Sequence, residues 1–286
     1  MKYKPLINFF KKVKGINKYL NSLFKSLAVS VDRPIVVTFT GGMGAQIISA
    51  AIYFYYKNEG KEVYADLSYF SHSEHVATEG KKGDVSYWGW QLQHFKLYPE
   101  SFKTHQASKL QKYHLIKDGA EKLSTGIMAL GKNSVQEYFK VDELLGKYLP
   151  LEIYKDYVCV HIRRGDYVNV ASHVIKDSTF IELTNRLAGL LSSIVIISDS
   201  PIDLSFRREI CISYQNPIFL DNIDAVAAHC VMRNASVLVC SNSQFSLIAA
   251  ILNKRALVFL PKKWFGFGHH KLELPISKLC NFQVMT

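Results

Sequence analysis

Long apolar runs are missing from this chain. No stretch reaches the ~18 to 20 apolar residues that a bilayer-spanning helix requires, and no signal-peptide core with a cleavage site is present. Neither a membrane span nor a secretory leader is therefore expected. Cysteine is scarce: Cys159, Cys211, Cys230, Cys240 and Cys280 are odd in number and show no CxxC spacing. That excludes a zinc ribbon and a disulfide framework, and it predicts reduced, mostly buried thiols and a cytoplasmic location. No Asp-x-Asp pair follows a strand-like stretch, so the usual carboxylate clamp for a divalent ion on a nucleotide diphosphate is lacking. Neither a metal site nor a cofactor is expected. Residues 1–30 contain no acid, against seven lysines, and the whole chain carries +11.

The lysines of that first segment are periodic. Leu6, Val13, Leu20 and Leu27 repeat every seven residues, Phe9, Ile16 and Leu23 follow three positions later, and Lys4, Lys11, Lys18 and Lys25 lie opposite. One apolar stripe and one cationic face on a single helix result, with Phe10 and Phe24 widening the stripe and Gly15 weakening it. Such a helix suits an anionic membrane surface and would place the protein peripherally on the inner face of the plasma membrane. Heptad spacing equally permits a coiled-coil seam in a homo-oligomer. Packing onto the protein body and a disordered tail are the other readings of the segment.

With 286 residues, 48% of them hydrophobic, the chain can fill two cores. Pro34 to Phe39 reads as a buried strand, Gly41 to Gln46 as a tight loop, Ile47 to Asn58 as an apolar helix and Glu62 to Asp66 as a second strand. That is a βαβ unit. Residues 72–150 are irregular, with aromatic clusters at Tyr87-Trp88-Gly89-Trp90 and Tyr138-Phe139. Further on, strands near 157–162, 194–198, 217–220, 237–241 and 256–260 alternate with helices near 178–190, 203–210, 222–233 and 243–253. This alternation predicts a parallel sheet with helices on both faces. The expected organisation is a basic helix over 1–30, an α/β domain over 31–150 and a second Rossmann-like domain over 151–286, divided near Leu149-Pro150.

Val158-Cys-Val-His-Ile-Arg-Arg-Gly-Asp-Tyr167 carries the chemistry. An apolar strand runs directly into two arginines, and strand ends of α/β sheets are where anionic ligands bind. The planar guanidinium fork matches phosphate oxygens two at a time, so Arg163 and Arg164 read as a diphosphate clamp. The plainer reading is a solvated turn. Ser241-Asn242-Ser243-Gln244-Phe245-Ser246 also lies where a strand ends and a helix begins, so its hydroxyls and free N–H groups can bind phosphate. Simple capping by Ser241 or Ser243 explains the same residues. Ser198-Asp199-Ser200 is a third polar strand end, and Asp199 can accept hydrogen bonds from a ribose or a base.

His161-Ile-Arg-Arg-Gly-Asp-Tyr167 resembles the HxRRGDY signature of glycosyltransferase family 11, the α-1,2-fucosyltransferases. Gly41-Gly-Met-Gly-Ala-Gln46 is similar to that family's GGxGNQ, Ser241 to Ser246 to its NSTFSWW, and Pro261-Lys-Lys-Trp-Phe265 to its PxxWF. The resemblance covers about residues 35–265. It implies two Rossmann-like lobes of the GT-B type and inverting transfer from GDP-fucose to a glycan or lipid-linked glycan acceptor. By this resemblance Arg163 stabilises charge on the β-phosphate, while His161, Arg164, Asp199, the 241–246 segment, Gly42 and Gly44 bind the nucleotide sugar. Arg164 and Tyr167 would also support the geometry, and Asp166 would bind the phosphate-loop amides or Arg164. His173, near a histidine of the family pattern, is a candidate general base. Two departures fall away from the nucleotide: Ala45 stands in place of the asparagine, and Leu247-Ile248 replace the paired tryptophans.

Three rivals compete with this reading. Gly42-Met-Gly44 with Asp66 mimics a dinucleotide fingerprint, although Ile47 occupies the third glycine's place. The basic charge suggests nucleic acid, but it is concentrated in the first 30 residues and no recognition motif accompanies it, so no nucleic-acid partner is expected. A non-catalytic nucleotide-sugar-binding relative, or an enzyme using another GDP-sugar, would accommodate Ala45.

Overall fold

A computed structural model describes residues 33–70, 89–104, 113–117, 119–141, 156–169, 173–221, 223–261, 263–264, 267–268 and 282–285. The expected basic helix over 1–30 and the boundary at Leu149-Pro150 lie outside the described residues. The first lobe is built on β1 (Ile35–Thr38), α1 (Met43–Asn58), β2 (Val63–Asp66), β3 (His114–Ile116) and α2 (Ala120–Leu130). Its three strands are parallel in the order β2-β1-β3, with Val36 in register with both Tyr64 and Leu115. Helix α2 lies on α1 so closely that a Cβ at Gly126 would come within 2.4 Å of Ile48 Cγ2. The aromatic residues of the irregular stretch close the lobe: Trp90 and Phe102 pack against Phe39, and Tyr138 stacks on Phe54 at 3.8 Å.

The second lobe contains β4 (Val158–Ile162), α3 (Asp177–Leu187), β5 (Ile194–Ser198), α4 (Leu204–Ser213), β6 (Ile218–Asp221), α5 (Ala225–Asn234), β7 (Val237–Val239), α6 (Gln244–Leu252), β8 (Leu257–Leu260) and β9 (Phe282–Val284). All its pairings are parallel, in the order β9-β8-β7-β4-β5-β6. The chain builds outward from β4 through β5 to β6, then returns to β4's other side with β7, which is the doubly wound Rossmann-like order with its switch point between β4 and β7. Every residue of β4 and β5 is buried, as a sheet covered on both faces requires. Successive side chains alternate between the two faces. Val158, Val160 and Ile162 meet Phe180, Leu183 and Phe206 of α3 and α4. Cys159 belongs to the opposite layer, with Val226 and Cys230 of α5 and Leu247 and Ile251 of α6. Each such Val, Leu or Ile contributes about 1.5–3 kcal/mol when fully buried.

Two expectations change. Helix α1 begins at Met43 rather than Ile47, because Gly41 at φ +70° turns the chain and Gly42 is already extended, which leaves Gly44, Ala45 and Gln46 in the first helical turn. The cores are also not separate. Helices α1 and α6 pack on one another across the lobes, and a single apolar cluster runs from Val37 and Ile48 to Ile248 and Val258. No helix among the described residues is long and apolar enough to cross a membrane.

Candidate active site

A cavity of about 530 Å³ opens at the carboxyl ends of β4 and β5 and the amino ends of α1 and α6. Parallel strands that diverge at a switch point leave such a crevice between their following loops, where ligands of doubly wound sheets bind.

Arg163 follows β4 and lines the cavity. Its Nη1 pairs with Asp199 Oδ2 at 2.8 Å, and its guanidinium lies 5.1 Å over the Tyr167 ring. Asp199 Oδ1 accepts from Arg164 N at 2.8 Å, so this carboxylate, placed after β5, ties the arginine loop to the neighbouring strand end. Gly165 fits against it closely: a Cβ there would approach Asp199 Oδ2 to 2.6 Å. The Gly165 N–H donates to Ser200 Oγ at 3.1 Å. Two bonds therefore fasten the loop to the Ser198-Asp199-Ser200 segment, and Arg163 is oriented before any ligand arrives. A guanidinium presents five N–H donors in a planar fork that suits phosphate oxygens.

On the other side of the switch point Ser243 caps α6 by accepting from Phe245 N at 3.2 Å. Ser241 Oγ lies 2.7 Å from His161 Nδ1, joining the ends of β7 and β4. Ser246 Oγ donates to the Ser241 and Ser243 carbonyls at 3.3 and 3.2 Å. Burial, and secondarily the Arg163 charge, push the His161 pKa down to about 3, so the ring is neutral. Phe245 lies between two imidazoles, 5.6 Å from His161 and 5.1 Å from His229. His229 is fully buried, and among the described residues neither of its ring nitrogens has a hydrogen-bond partner. Burial first, then Arg233 and His161, hold its pKa well below the ordinary value.

The first lobe contributes Gly42, Met43, Gly44, Ala45 and Gln91 to the wall. Gly44 sits directly against the second lobe, since a Cβ there would fall 2.8 Å from Phe245 N and 2.9 Å from its Cα. The two helix N-termini thus converge on the cavity, each bringing N–H groups that no intrahelical carbonyl satisfies.

Not all the expected residues are brought together. His161, Arg163, Asp199, Ser243, Gln244, Phe245, Gly42 and Gly44 line the cavity. Ser241, Asn242 and Ser246 are buried behind it, where the strand-to-helix turn folds inward. Arg164 turns aside: its guanidinium binds Asp177 at the start of α3 and its own segment's carbonyl at Arg163. It does not line the cavity and fastens the loop to the start of α3. His173 does not line the cavity and lies with its ring 5.1 Å from that of Tyr167. Local sequence does not single out the apolar wall of Ile197, Ile223, Ala225 and Ala228, nor Gln91. The wall is legible in part as the residues after β5 and β6. Gln91 carries no local signal, because its partners lie 45 and 48 residues away.

No curated protein matches the sequence. The chain is similar in shape to crystal structures of POFUT1 in complex with GDP-fucose, at 12% identity and TM-score 0.43, covering 80% of this chain and 97% of that one. It is also similar to the E. coli heptosyltransferase WaaC with ADP, at 11% identity and TM-score 0.45, covering 88% and 93%. E. coli ADP-heptose heptosyltransferase II gives 9% identity and TM-score 0.46, with 88% and 89% covered. Residues 134–265, which hold the arginine loop, the switch point and the 241–246 segment, match the model of Glycosyl transferase family 11.

Proposed function

We propose that the chain transfers L-fucose from GDP-fucose to a glycan hydroxyl with inversion at the anomeric carbon, in the synthesis of a bacterial surface polysaccharide. The observation that carries this reading is Arg163, held by Asp199 at the sheet's switch point and facing the cavity beside the α6 N-terminus. In the transfer, the acceptor oxygen forms a bond to the anomeric carbon as that carbon's bond to the β-phosphate oxygen breaks. GDP leaves and the acceptor proton passes to a base. Negative charge grows on the diphosphate, where a preorganised cation acts mainly on the transition state. The two lobes facing one cavity correspond to a GT-B arrangement, with the diphosphate on the second lobe and the sugar toward the first.

Among the described residues lining the cavity, the carboxylate and imidazole acceptors are Asp199 and His161, engaged with Arg163 and Ser241 respectively. His173 does not line the cavity, although its ring lies 5.1 Å from that of Tyr167, which does. Arginine supplies the positive charge that a divalent ion would otherwise bring, so turnover is independent of added metal. Ala45 favours a second reading, transfer from another GDP-sugar, because it removes a side-chain hydrogen-bonding group from the first-lobe wall. Purified protein incubated with GDP-fucose, GDP-mannose and UDP-sugars, with and without EDTA, tests both. Release of GDP from GDP-fucose in EDTA is the expected result. Turnover of UDP-sugars alone, or loss in EDTA restored by manganese, overturns it.

A further inference from the structure

The start of α1 is capped from a distance. Gly42 at its N-cap has no side chain, and no acid stands in the first turn. The Met43 N–H instead donates to Gln91 Oε1 at 2.7 Å. Gln91 is itself held: its backbone N–H donates to Gln46 Oε1 at 2.9 Å, and Gln46 Nε2 donates to the carbonyls of Gly41 and Gly89, both at 2.8 Å. Gln46 is fully buried, so this stitch is shielded from water. Because the group facing Gln91 is an N–H donor, the carboxamide oxygen must be the atom turned toward the helix. Its NH2 is thereby turned away, on a side chain that lines the cavity.

The rest of the first-lobe wall has little to offer a sugar. Among the described lining residues this lobe gives Gly42, Met43, Gly44, Ala45 and Gln91, and of these only Gln91 has a hydrogen-bonding side chain. Across the cavity Arg163 and Asp199 belong to the second lobe. A hexose held between a diphosphate clamp and this wall presents hydroxyls that need partners when water is excluded. We propose that Gln91 is a sugar-binding residue of this site, its oxygen occupied by the Met43 N–H and its NH2 donating to a hydroxyl of the transferred sugar. This rests on the GDP-sugar reading above.

Two substitutions separate that role from simple capping. Gln91→Glu keeps an acceptor for the Met43 N–H, and a carboxylate suits a helix N-terminus, but it removes the NH2 donor. Gln91→Met removes both. Calorimetry of the full chain with GDP and with GDP-fucose gives a ratio of affinities that reads the sugar alone, since any repulsion between the introduced carboxylate and the diphosphate weakens both ligands. The ratio is expected to fall about tenfold in both variants, as for one lost ligand hydrogen bond. Only Gln91→Met should also lower the melting temperature. An unchanged ratio in both variants overturns the proposal and leaves Gln91 a cap. An unchanged ratio with a raised KM for acceptor also overturns it, moving the contact to the acceptor. Failure of the wild type to bind GDP at all would instead remove the nucleotide-sugar reading on which it rests.

Discussion

The arginines of the 163–164 pair differ in what they touch. Arg163 faces the cavity from its ion pair with Asp199, whereas Arg164 is turned to Asp177. Arg163→Ala is therefore expected to lower turnover by ~100-fold or more, the loss seen when one preorganised transition-state donor is removed. Arg163→Lys should recover part of it, because the charge returns without the fork. A folded alanine variant with wild-type turnover would exclude the assignment. The two buried histidines set a pH limit on stability. His161 falls to about 3 when folded and His229 lies well below its ordinary 6.5. Below about pH 6.5 the unfolded chain takes up protons that the folded chain refuses, so stability is complete above that pH and declines as the pH drops, by about 1.4 kcal/mol per pH unit for His161 down to about pH 3, with a loss of the same sign from His229. Urea midpoints of wild type and His229→Phe at pH 7 and pH 5 test this. The variant should unfold at a similar midpoint at pH 7, since it discards two unpartnered nitrogens, and should lose less on acidification. Equal acid losses would show that the neutrality of His229 is not the cause.

At the scale of elements, the site depends on two helix ends meeting. Gly44 in the first turn of α1 abuts the backbone of Phe245 in the first turn of α6, and backbone cannot rotate aside as a side chain does. Gly44→Ala should force the lobes apart, destabilising by about 1–3 kcal/mol as overpacked interiors do. Donor affinity should weaken with it, because Arg163 and the α1 end would no longer face the same cavity. Denaturant unfolding and GDP-fucose titration measure the two effects, and unchanged values for both would mean that the contact carries no strain. The local patterns are readable here: strands expected near 157–162 and 194–198 place β4 and β5 almost to the residue. The start of α1 is not, since glycines at 42 and 44 look like loop in sequence while only Gly41 takes the left-handed conformation. The helix persists through Gly44 because α6 and the Gln46 stitch hold it there.

For the whole molecule, the charge is unevenly placed, with seven of the lysines and no acid in residues 1–30. Every sequence motif assigned to the site begins at Gly41 or later. Deleting residues 1–30 is thus expected to abolish co-sedimentation with anionic vesicles, where each lysine near the surface contributes on the order of 1 kcal/mol, yet leave transfer to a soluble acceptor nearly unchanged. Binding by the full chain should weaken at high salt. A full chain that ignores vesicles but loses an oligomeric state on truncation would make the stripe an assembly seam.

What the sequence by itself determined is local: two runs of alternating strands and helices, parallel pairing, and an arginine-bearing strand end. Hydrophobic periodicity and strand-to-helix polarity act over a few residues, so they are written in the order of residues. What only the tertiary structure decided is which of those ends share one cavity. His161 meets Ser241 across 80 residues, Arg163 meets Asp199 just after the next strand, and Gln91 reaches back 48 residues to Met43. Such pairings depend on strand order and on the packing of α1 against α6, and no short-range pattern encodes either. The same reason separates Arg163 from Arg164: adjacent in sequence, they pair with Asp199 after β5 and with Asp177 of α3 respectively, and only the neighbouring strand and helix determine which one lines the cavity.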